Sequence, residues 1–154
     1  MKERINVREL APEAYRAMYR LEKYLAGSGL PHATQELVKL RVSQINGCGY
    51  CVTMHSHDAK AAGESDERLF AVAAWRETPF FGDAERAALA LAEEATRLGD
   101  RGETVPDAVW DEAARHYEPE VLAALVVTIS TINAWNRIAV TTRMVPETLR
   151  SQNG

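Results

Sequence analysis

Two cysteines and a histidine form the chemically most distinctive segment of the chain. In QINGCGYCVTMHSHDA, residues 44–59, Cys48 and Cys51 lie three positions apart and His55 follows four positions later, and the 154-residue chain has no other cysteine. Such a pair can bind a metal, form a structural disulfide or carry out thiol redox chemistry. In a reducing cytoplasm a lone Cys-x-x-Cys pair is more often redox-active or metal-binding than a structural cross-link, so these two alternatives stay open.

A base near one of the cysteines favours redox chemistry. On one helix, Cys48, Cys51 and His55 occupy positions i, i+3 and i+7 and project from roughly the same face. A free thiol has a pKa of about 8.5 and is mostly protonated at neutral pH, so a reactive cysteine needs a base or a positive field. His55 lies one helical turn from Cys51 and two turns from Cys48. We therefore predict that this histidine serves Cys51.

Glu36 is predicted to complete a proton relay with the histidine. Asn46-Gly47 is a typical helix-breaking turn, and an antiparallel helix pair across it places Glu36 about one turn from His55. A continuous helix would instead carry Glu36 about 18 Å away from the cysteine pair. The break therefore predicts a relay from Glu36 through His55, directly or through a water, to Cys51.

Zinc binding and inert burial of the cysteines are the alternatives to redox chemistry. A structural zinc site usually has four ligands, and this chain offers two cysteines with His55 or His57 and no second cysteine pair. Glu36 taken alone is an ordinary solvated carboxylate near a helix start. The other two histidines, His32 and His116, are expected at the surface. The spacing of the whole set makes thiol chemistry the favoured interpretation.

The elements that must position these side chains are all predicted to be helices. Proline at the start of helical patterns and glycine after their ends recur, whereas the alternating pattern of strands is almost absent. Ser65 and Asp83 are predicted N-caps. Helices are predicted from Pro12 to about Leu25, through Glu36 to Ile45, and over Cys48 to Ala62, Asp66 to Arg76, Ala84 to Leu98, Pro106 to Tyr117 and Glu120 to Arg143. We therefore predict an all-α fold.

Three groups of side chains in these helices have a predicted environment. In the helix from Ala84, the residues expected to face inward are Leu89, Leu91 and Ala92, and those expected to face largely outward are Glu85, Arg86, Glu93 and Glu94. The aromatic residues expected in the core or an interface rather than in a substrate pocket are Tyr15, Tyr19, Trp75, Phe80 and Phe81. The polar cluster Asn133, Asn136 and Arg137 could touch an active site or hold a subunit interface, and a structural role is favoured.

The composition fits one domain over residues 1–154 that binds neither nucleic acid nor membrane. The chain is 46% hydrophobic and 26% charged, which suffices for an ordinary core. Its net charge is −4 and no block of five lysines and arginines occurs, so the electrostatic attraction of nucleic-acid and anionic-membrane binders is missing. Threonine, serine and asparagine interrupt the most apolar stretch, residues 121–135, and the first ten residues contain no apolar h-region. A cytoplasmic location is expected.

The spacing of Glu36, the cysteine pair and His55 resembles the core of the AhpD alkylhydroperoxidases of the carboxymuconolactone decarboxylase superfamily. Eleven residues separate Glu36 from Cys48 and three separate Cys51 from His55, and INGCGYCVTMH, residues 45–55, is similar to family sequence throughout. STINAWNRIAV, residues 130–140, is similar to the long C-terminal helix of small members. The resemblance covers most of the chain and implies an AhpD-like helical bundle that assembles into homotrimers or homohexamers.

The resemblance also implies a thiol-dependent hydroperoxide reductase. Cys51 would attack the peroxide and become a sulfenic acid, and Cys48 would condense with it to a redox-active disulfide while Glu36 and His55 move the proton. A dithiol of dihydrolipoyl or thioredoxin-like type would restore the thiols, and no metal or organic cofactor is implied. Tyr50, where better-studied members have a histidine, and Asn136 are candidate supporting residues.

Other functions stay open beside this one. The decarboxylases of the superfamily generally lack the cysteine pair, which argues against that reaction. A general disulfide oxidoreductase and a non-enzymatic redox-sensing oligomer both fit a reversible Cys48–Cys51 disulfide. A measurement of peroxide consumption with a dithiol as the electron donor would separate the hydroperoxide reductase, the disulfide oxidoreductase and the redox-sensing oligomer from one another.

Overall fold

The computed structural model describes residues 2–99, 102 and 104–146, and all the regular structure in this part of the chain is helical. The α-helices are α1 Val7–Leu10, α2 Pro12–Ala26, α3 His32–Ile45, α4 Gly49–Ala61, α5 Asp66–Ala71, α6 Asp83–Thr96, α7 Asp107–His116 and α8 Pro119–Thr142, and a 3₁₀ segment, Val72–Glu77, follows α5. No strand occurs among the described residues, which confirms the predicted all-α class.

Helix α3 lies at the centre of the fold. It packs against α4, α6 and α8, and the 3₁₀ segment also contacts it. One apolar cluster includes Val38 and Val42 of α3 and both cysteines, while a second includes Leu37 and Leu40. Because α3 is buried on nearly every side, each polar side chain that it carries inward needs a partner.

The turn between α3 and α4 has the position that the sequence predicts. Asn46 ends α3 and Gly47 adopts a φ of 66°, a left-handed conformation that glycine takes without steric cost. The Cys48 N–H then donates to the Ser43 carbonyl at 2.9 Å. This turn reverses the chain and packs α4 against α3.

A cluster of buried amides holds this turn against α8. The Asn46 side chain donates to Oδ1 of Asn133 at 3.0 Å and to Oδ1 of Asn136 at 2.9 Å. Asn136 in turn donates to Ser43 Oγ at 3.0 Å and is 1% exposed, while Asn133 donates to Thr96 Oγ1. These contacts agree with the structural role favoured for the polar cluster on the last helix.

Several helix boundaries differ from the prediction. Ser65 caps α5 as predicted, but Asp83 is the first residue of α6 and Gly82 is its N-cap, because the Glu85 carboxylate accepts the Gly82 N–H at 2.9 Å. The predicted helix from Asp66 to Arg76 is α5 and the 3₁₀ segment, with a kink at Ala74. The short helix α1 was not predicted; Asn6 caps it.

Helix α8 is the one described helix whose length and apolar composition would suffice to cross a bilayer. The core helix of a soluble protein meets the same criterion. Eleven side chains of α8 are buried, and they include both apolar residues such as Leu125 and Ile132 and polar ones such as Thr128. The helix thus contributes directly to the larger apolar cluster.

The prediction that Glu93 faces outward is wrong. Its side chain on α6 is 2% exposed, and it is buried because four donors converge on its carboxylate. They are Trp75 Nε1 at 3.1 Å, Arg41 Nε at 2.6 Å, Arg97 and Arg76. Burial alone would raise its pKa, but the hydrogen bonds from Arg76, Arg41 and Trp75 and the charge of Arg41 lower the pKa to about 2.

Replacement of Glu93 by glutamine is expected to lower the free energy of unfolding by about 3 kcal/mol at pH 7. A carboxyl pKa of about 2 in the fold against 4.5 in the unfolded chain corresponds to a contribution of about this size. Because the folded-state pKa is depressed, the contribution is fully present above pH 4.5 and is lost as the pH falls through about 2.

Urea unfolding measured from pH 7 to pH 2.5 tests this expectation. The difference in stability between the wild type and Glu93→Gln should shrink as the pH falls below 4.5. Glu67→Gln, at an exposed position in the first turn of α5, is the control and should change stability by less than about 0.5 kcal/mol. A pH-independent difference for Glu93→Gln would contradict the assignment of an ionised, paired carboxylate.

Candidate active site

Glu36 and His55 form a buried hydrogen-bonded pair between α3 and α4. His55 Nδ1 lies 2.8 Å from Glu36 Oε2, and the two residues are 5% and 4% exposed. With Nδ1–H donating to the carboxylate, the lone pair of the neutral imidazole is on Nε2. The predicted proximity of the two residues is therefore observed, without an intervening water between them.

Glu36 is held in its ionised form despite its burial. Burial acts to raise its pKa, but the hydrogen bond and charge of His55, followed by the charges of Lys39 and His32, bring the pKa below its ordinary value. His32 is exposed, as predicted, and its Nε2 lies 4.0 Å from Glu36 Oε1. A carboxylate of low pKa keeps its acceptor oxygens available to orient His55 over the neutral pH range.

Lys39 and Glu22, neither of which was predicted at the site, extend this pair. Lys39 Nζ lies 2.9 Å from Glu22 Oε2 and 3.5 Å from Glu36 Oε1, and Lys39 is 7% exposed. Lys39 follows Glu36 by three positions and so shares its helix face. That spacing could have indicated the contact between Lys39 and Glu36. No sequence pattern indicated the contact of Lys39 with Glu22, which lies on α2, 17 positions away.

Cys48 and Cys51 are joined as a disulfide, with their Cα atoms 5.4 Å apart. They are 1% and 2% exposed. The prediction that Cys48 lies inside the helix is wrong. Cys48 is the N-cap of α4, where its Sγ accepts the Cys51 N–H at 3.3 Å. The hydrogen bond from the Cys48 N–H to the Ser43 carbonyl ends the preceding turn. Helix α4 therefore begins one residue later than predicted.

A cavity of about 200 Å³ opens beside Cys51 and His55. Cys51 and His55 both line it, and Glu36 and Lys39 reach it from α3, whereas Cys48 does not line it. His55 is also one helical turn from Cys51 on α4. The arrangement places Cys51, but not Cys48, at the wall of a cavity that His55 also lines.

The aromatic side chains divide into two groups. Trp75 and Phe81 are buried in the smaller apolar cluster as predicted, and Phe80 is 44% exposed. Tyr15 and Tyr19, predicted in the core or an interface, instead line the cavity together with Trp135. The periodicity of α2 could not reveal this, because the ring that Tyr15 and Tyr19 pack against comes from α8.

The remaining candidates lie at the edge of the site or away from it. Tyr50 is half-buried and lines the cavity next to Cys51, whereas Asn136 does not line it and belongs to the amide cluster. His57 is exposed. His116 is exposed as predicted and lies 3.0 Å from Glu112 Oε1.

Among the described residues, one group at this site has donor atoms close enough together to hold a cation, and it differs from the cysteine and histidine set predicted from the sequence. Ligand atoms of Glu36, His55 and Asp58 lie within 4.8 Å of one another. The thiolates of the earlier zinc alternative are absent while Cys48 and Cys51 form a disulfide. The Glu36 carboxylate already accepts a hydrogen bond from His55 and lies 3.5 Å from the Lys39 ammonium. These two groups occupy positions next to Glu36 that a bound cation would need.

Comparison with known sequences gives one family and one relative of nearly the same length. The model of the Carboxymuconolactone decarboxylase family matches residues 12–94, which include Glu36, both cysteines and His55. The uncharacterized protein YdfG of Bacillus subtilis is 40% identical over 140 residues, covering 91% of this chain and 94% of that protein. Alkyl hydroperoxide reductase AhpD of Mycobacterium tuberculosis is 39% identical over 46 residues, covering 30% of this chain and 26% of that protein.

Comparison with solved structures gives the same fold. A crystal structure from Agrobacterium tumefaciens, of a protein of unknown function provisionally assigned to antioxidant defence as AhpD, superposes with a TM-score of 0.89. The two sequences are 38% identical, and the match covers 94% of this chain and 98% of that chain. The described helices therefore have the AhpD-like arrangement that the sequence resemblance implies.

Proposed function

Because the chain belongs to the carboxymuconolactone decarboxylase family, we propose that it is a thiol-dependent hydroperoxide reductase of the AhpD type. One observation carries the proposal. Cys51 faces the same cavity as His55, and the other nitrogen of that imidazole is fixed by a buried carboxylate at 2.8 Å. A cysteine, a base and an orienting third group form the usual constellation of an activated nucleophile.

The reaction begins with the dithiol form. His55 Nε2 takes the Cys51 thiol proton, and the thiolate attacks the terminal oxygen of the hydroperoxide, so that an S–O bond forms and the O–O bond breaks. Cys51 becomes a sulfenic acid, and the alkoxide that leaves receives the proton held by His55 and departs as an alcohol. Glu36 stabilises the imidazolium between these two transfers.

Cys48 completes the oxidative half of the cycle. Its thiol displaces the hydroxyl of the Cys51 sulfenic acid, which leaves as water, and the Cys48–Cys51 disulfide forms. The two Cα atoms are already 5.4 Å apart, within the range that a disulfide requires. A dithiol then reduces this disulfide by exchange and is itself oxidised. In this scheme the protein needs no metal or organic cofactor.

The burial of both sulfurs bears on the reductant. Cys48 and Cys51 are each at most 2% exposed, and access to the disulfide is through the cavity at Cys51. A slender dithiol of dihydrolipoyl type can enter such a cavity more readily than the protein surface of a thioredoxin-like partner. Either reductant belongs to a reducing compartment, in line with a proposed cytoplasmic location.

An exposed apolar groove supports self-association as part of the proposal. Leu98, Trp110 and Val126 line it and are 52%, 42% and 39% exposed. Contiguous apolar surface of this kind is typical of interaction sites. We propose that the chain assembles as a homotrimer or homohexamer.

Peroxide consumption coupled to a dithiol tests the function. The purified protein, supplied with dihydrolipoamide and cumene hydroperoxide, is expected to consume one dithiol per peroxide over many turnovers, and the Cys48→Ser/Cys51→Ser double variant is expected to be inactive. Titration of free thiols should fall from two per chain to none after peroxide is added to the reduced protein.

Two outcomes would overturn the proposal in favour of an alternative. A reversible disulfide without catalytic peroxide consumption, but with exchange activity on other disulfides, would identify a disulfide oxidoreductase. Persistence of two thiols under excess peroxide would exclude peroxidase chemistry altogether.

A further inference from the structure

One wall of the cavity beside Cys51 is built from three aromatic rings. Tyr15 and Tyr19 of α2 and Trp135 of α8 pack on one another with ring centroids 5.0 to 5.7 Å apart. Trp135 is fixed further, because its Nε1–H donates to Glu22 Oε1 at 3.0 Å. These rings present preorganised apolar surface against which a flat apolar group can pack.

The aromatic wall is uncharged at neutral pH. Burial first, and then the neighbouring Tyr19, raise the pKa of Tyr15 to about 12. Met54, Ala139 and Met144 continue the lining with apolar surface. A ligand that packs on this wall therefore meets rings and aliphatic side chains rather than charge.

The charged groups of the cavity are predominantly acidic. The carboxyl groups of Glu22, Glu36 and Asp58 line it, against the Lys39 ammonium and the His55 imidazole. Lys39 is committed, since its Nζ lies 2.9 Å from Glu22 and 3.5 Å from Glu36. A ligand carboxylate that enters this cavity would lose its hydrating water and meet three like charges. The one ammonium group that lines the cavity, that of Lys39, is already paired with two carboxylates.

A groove lined by further cations shares Tyr15 and Tyr19 with the cavity. Arg8, Arg16, Arg20 and Lys23 line a separate groove along the outer face of α2, and they do not line the cavity at Cys51. Their positive field attracts anions to this outer surface, whereas the walls of the cavity beside Cys51 carry none of these four side chains. The outer groove therefore opposes the acidic lining, as does His32, whose Nε2 lies 4.0 Å from Glu36 Oε1.

The volume of the cavity limits the size of the group that it can enclose beside Cys51. About 200 Å³ is the volume that about seven water molecules occupy in the liquid. That space accommodates a compact body beside Cys51, and any longer chain would extend out of the open cavity. The aromatic wall and the acidic lining are thus the features that restrict the ligand.

We propose that this cavity selects compact, uncharged hydroperoxides with a flat apolar body, such as arylalkyl hydroperoxides, and discriminates against those that carry a carboxylate, such as fatty-acid hydroperoxides. The inference rests on the proposed peroxidase function and adds the substrate class. Tyr15, Tyr19 and Trp135 supply the preference for a flat body, and Asp58 with Glu22 supplies the rejection of negative charge.

Binding of inert alcohols tests the selectivity independently of catalysis. 2-Phenyl-2-propanol, its 4-carboxylate and tert-butanol are titrated into the disulfide form, and the indole N–H resonances of the three tryptophans report binding, with Trp135→Phe identifying the relevant signal. The neutral aryl alcohol is expected to bind at least about tenfold more tightly than its carboxylate. It is also expected to bind more tightly than tert-butanol.

Two variants with matched controls separate the charge from the ring. Asp58→Asn should reduce the ratio of the affinity for the neutral aryl alcohol to the affinity for its carboxylate by at least about threefold. Tyr19→Leu should weaken the binding of the aryl alcohol by at least about threefold. Asp111→Asn and Tyr24→Leu remove the same groups at exposed positions that do not line the cavity, and they should leave both affinities unchanged.

The outcomes distinguish this inference from the proposed function. Tighter or equal binding of the carboxylate, or a ratio insensitive to Asp58→Asn, would overturn the selectivity, and the outer basic groove would then govern binding. Peroxide consumption with the same kcat/KM for cumene hydroperoxide and its 4-carboxylate would also overturn it while leaving the peroxidase function intact. Discrimination in binding with no peroxide consumption would instead overturn the function and retain a binding site for uncharged arylalkyl compounds.

Discussion

Cys51→Ser is expected to abolish the reaction with peroxide, whereas Cys48→Ser is expected to form one sulfenic acid per chain and then stop. Two physical effects compete for the identity of the nucleophile. The N-terminus of α4 favours a thiolate at Cys48, the N-cap, by about 0.3–1 kcal/mol. A positioned base contributes about 10²–10⁴-fold in rate, or roughly 3–5 kcal/mol.

Access decides in the same direction as the base. Cys51 lines the cavity with His55 and Cys48 does not, so a peroxide bound in this cavity lies next to Cys51 rather than Cys48. Cys48 remains close enough to resolve the sulfenic acid because its Cα lies 5.4 Å away. Cys48→Ser removes that second step alone.

Dimedone trapping with peptide mass mapping checks the assignment. The reduced variants are treated with one equivalent of cumene hydroperoxide, and the adduct is expected on Cys51 in the Cys48→Ser protein. The double variant is the control for non-specific labelling. An adduct on Cys48 in the Cys51→Ser protein, formed at the wild-type rate, would reverse the two roles.

His55→Ala is expected to slow the first oxidation of Cys51 by about 10²–10⁴-fold. Without the base, the reaction depends on the small thiolate fraction of a thiol with pKa about 8.5, so the rate of the variant should keep rising with pH up to that value. Glu36→Gln should slow the step by at least about tenfold, because a neutral amide no longer stabilises the imidazolium. The pKa of Glu36 lies below its ordinary value, and its own titration should therefore not appear in the neutral range.

Stopped-flow measurement of single-turnover oxidation from pH 5 to pH 9 tests both variants. His57→Ala is the matched control, since His57 is exposed and lies two residues from His55 on the same helix. It should retain the wild-type rate and pH profile. Equal rates for His55→Ala and the wild type at pH 7 would remove the histidine from the mechanism.

The part of the site that could be predicted is the part encoded by local spacing. Cys51 and His55 are one turn apart on one helix, and a glycine turn between Glu36 and the cysteines requires the chain to reverse. These are short-range geometric constraints, and they place Glu36 beside His55 without any information about the remaining helices.

The other part depends on contacts between residues far apart in the chain. Glu22 meets Trp135 across 113 positions, and Glu93 meets Arg41 across 52. Nothing in the periodicity of α6 distinguishes Glu93 from a solvated glutamate, because its burial is decided by donors on α3 and on the 3₁₀ segment. The position of Tyr15 and Tyr19 at the cavity could not be predicted for the same reason, because both rings pack against Trp135 on the distant helix α8.

Trp135 and Ala139, which line the cavity, lie on α8, outside residues 12–94, the segment that the family model matches. The nucleophile, the base and the carboxylate all lie inside that segment, as do Tyr15, Tyr19, Glu22 and Asp58, whereas Trp135 lies outside it. Mutations in α8 can therefore change one side of the pocket without replacing a residue that takes part in the chemistry. The hydrogen bond from Trp135 to Glu22 links the two stretches: a replacement that lacks the indole donor also removes this bond from the Glu22 carboxylate, which pairs with Lys39.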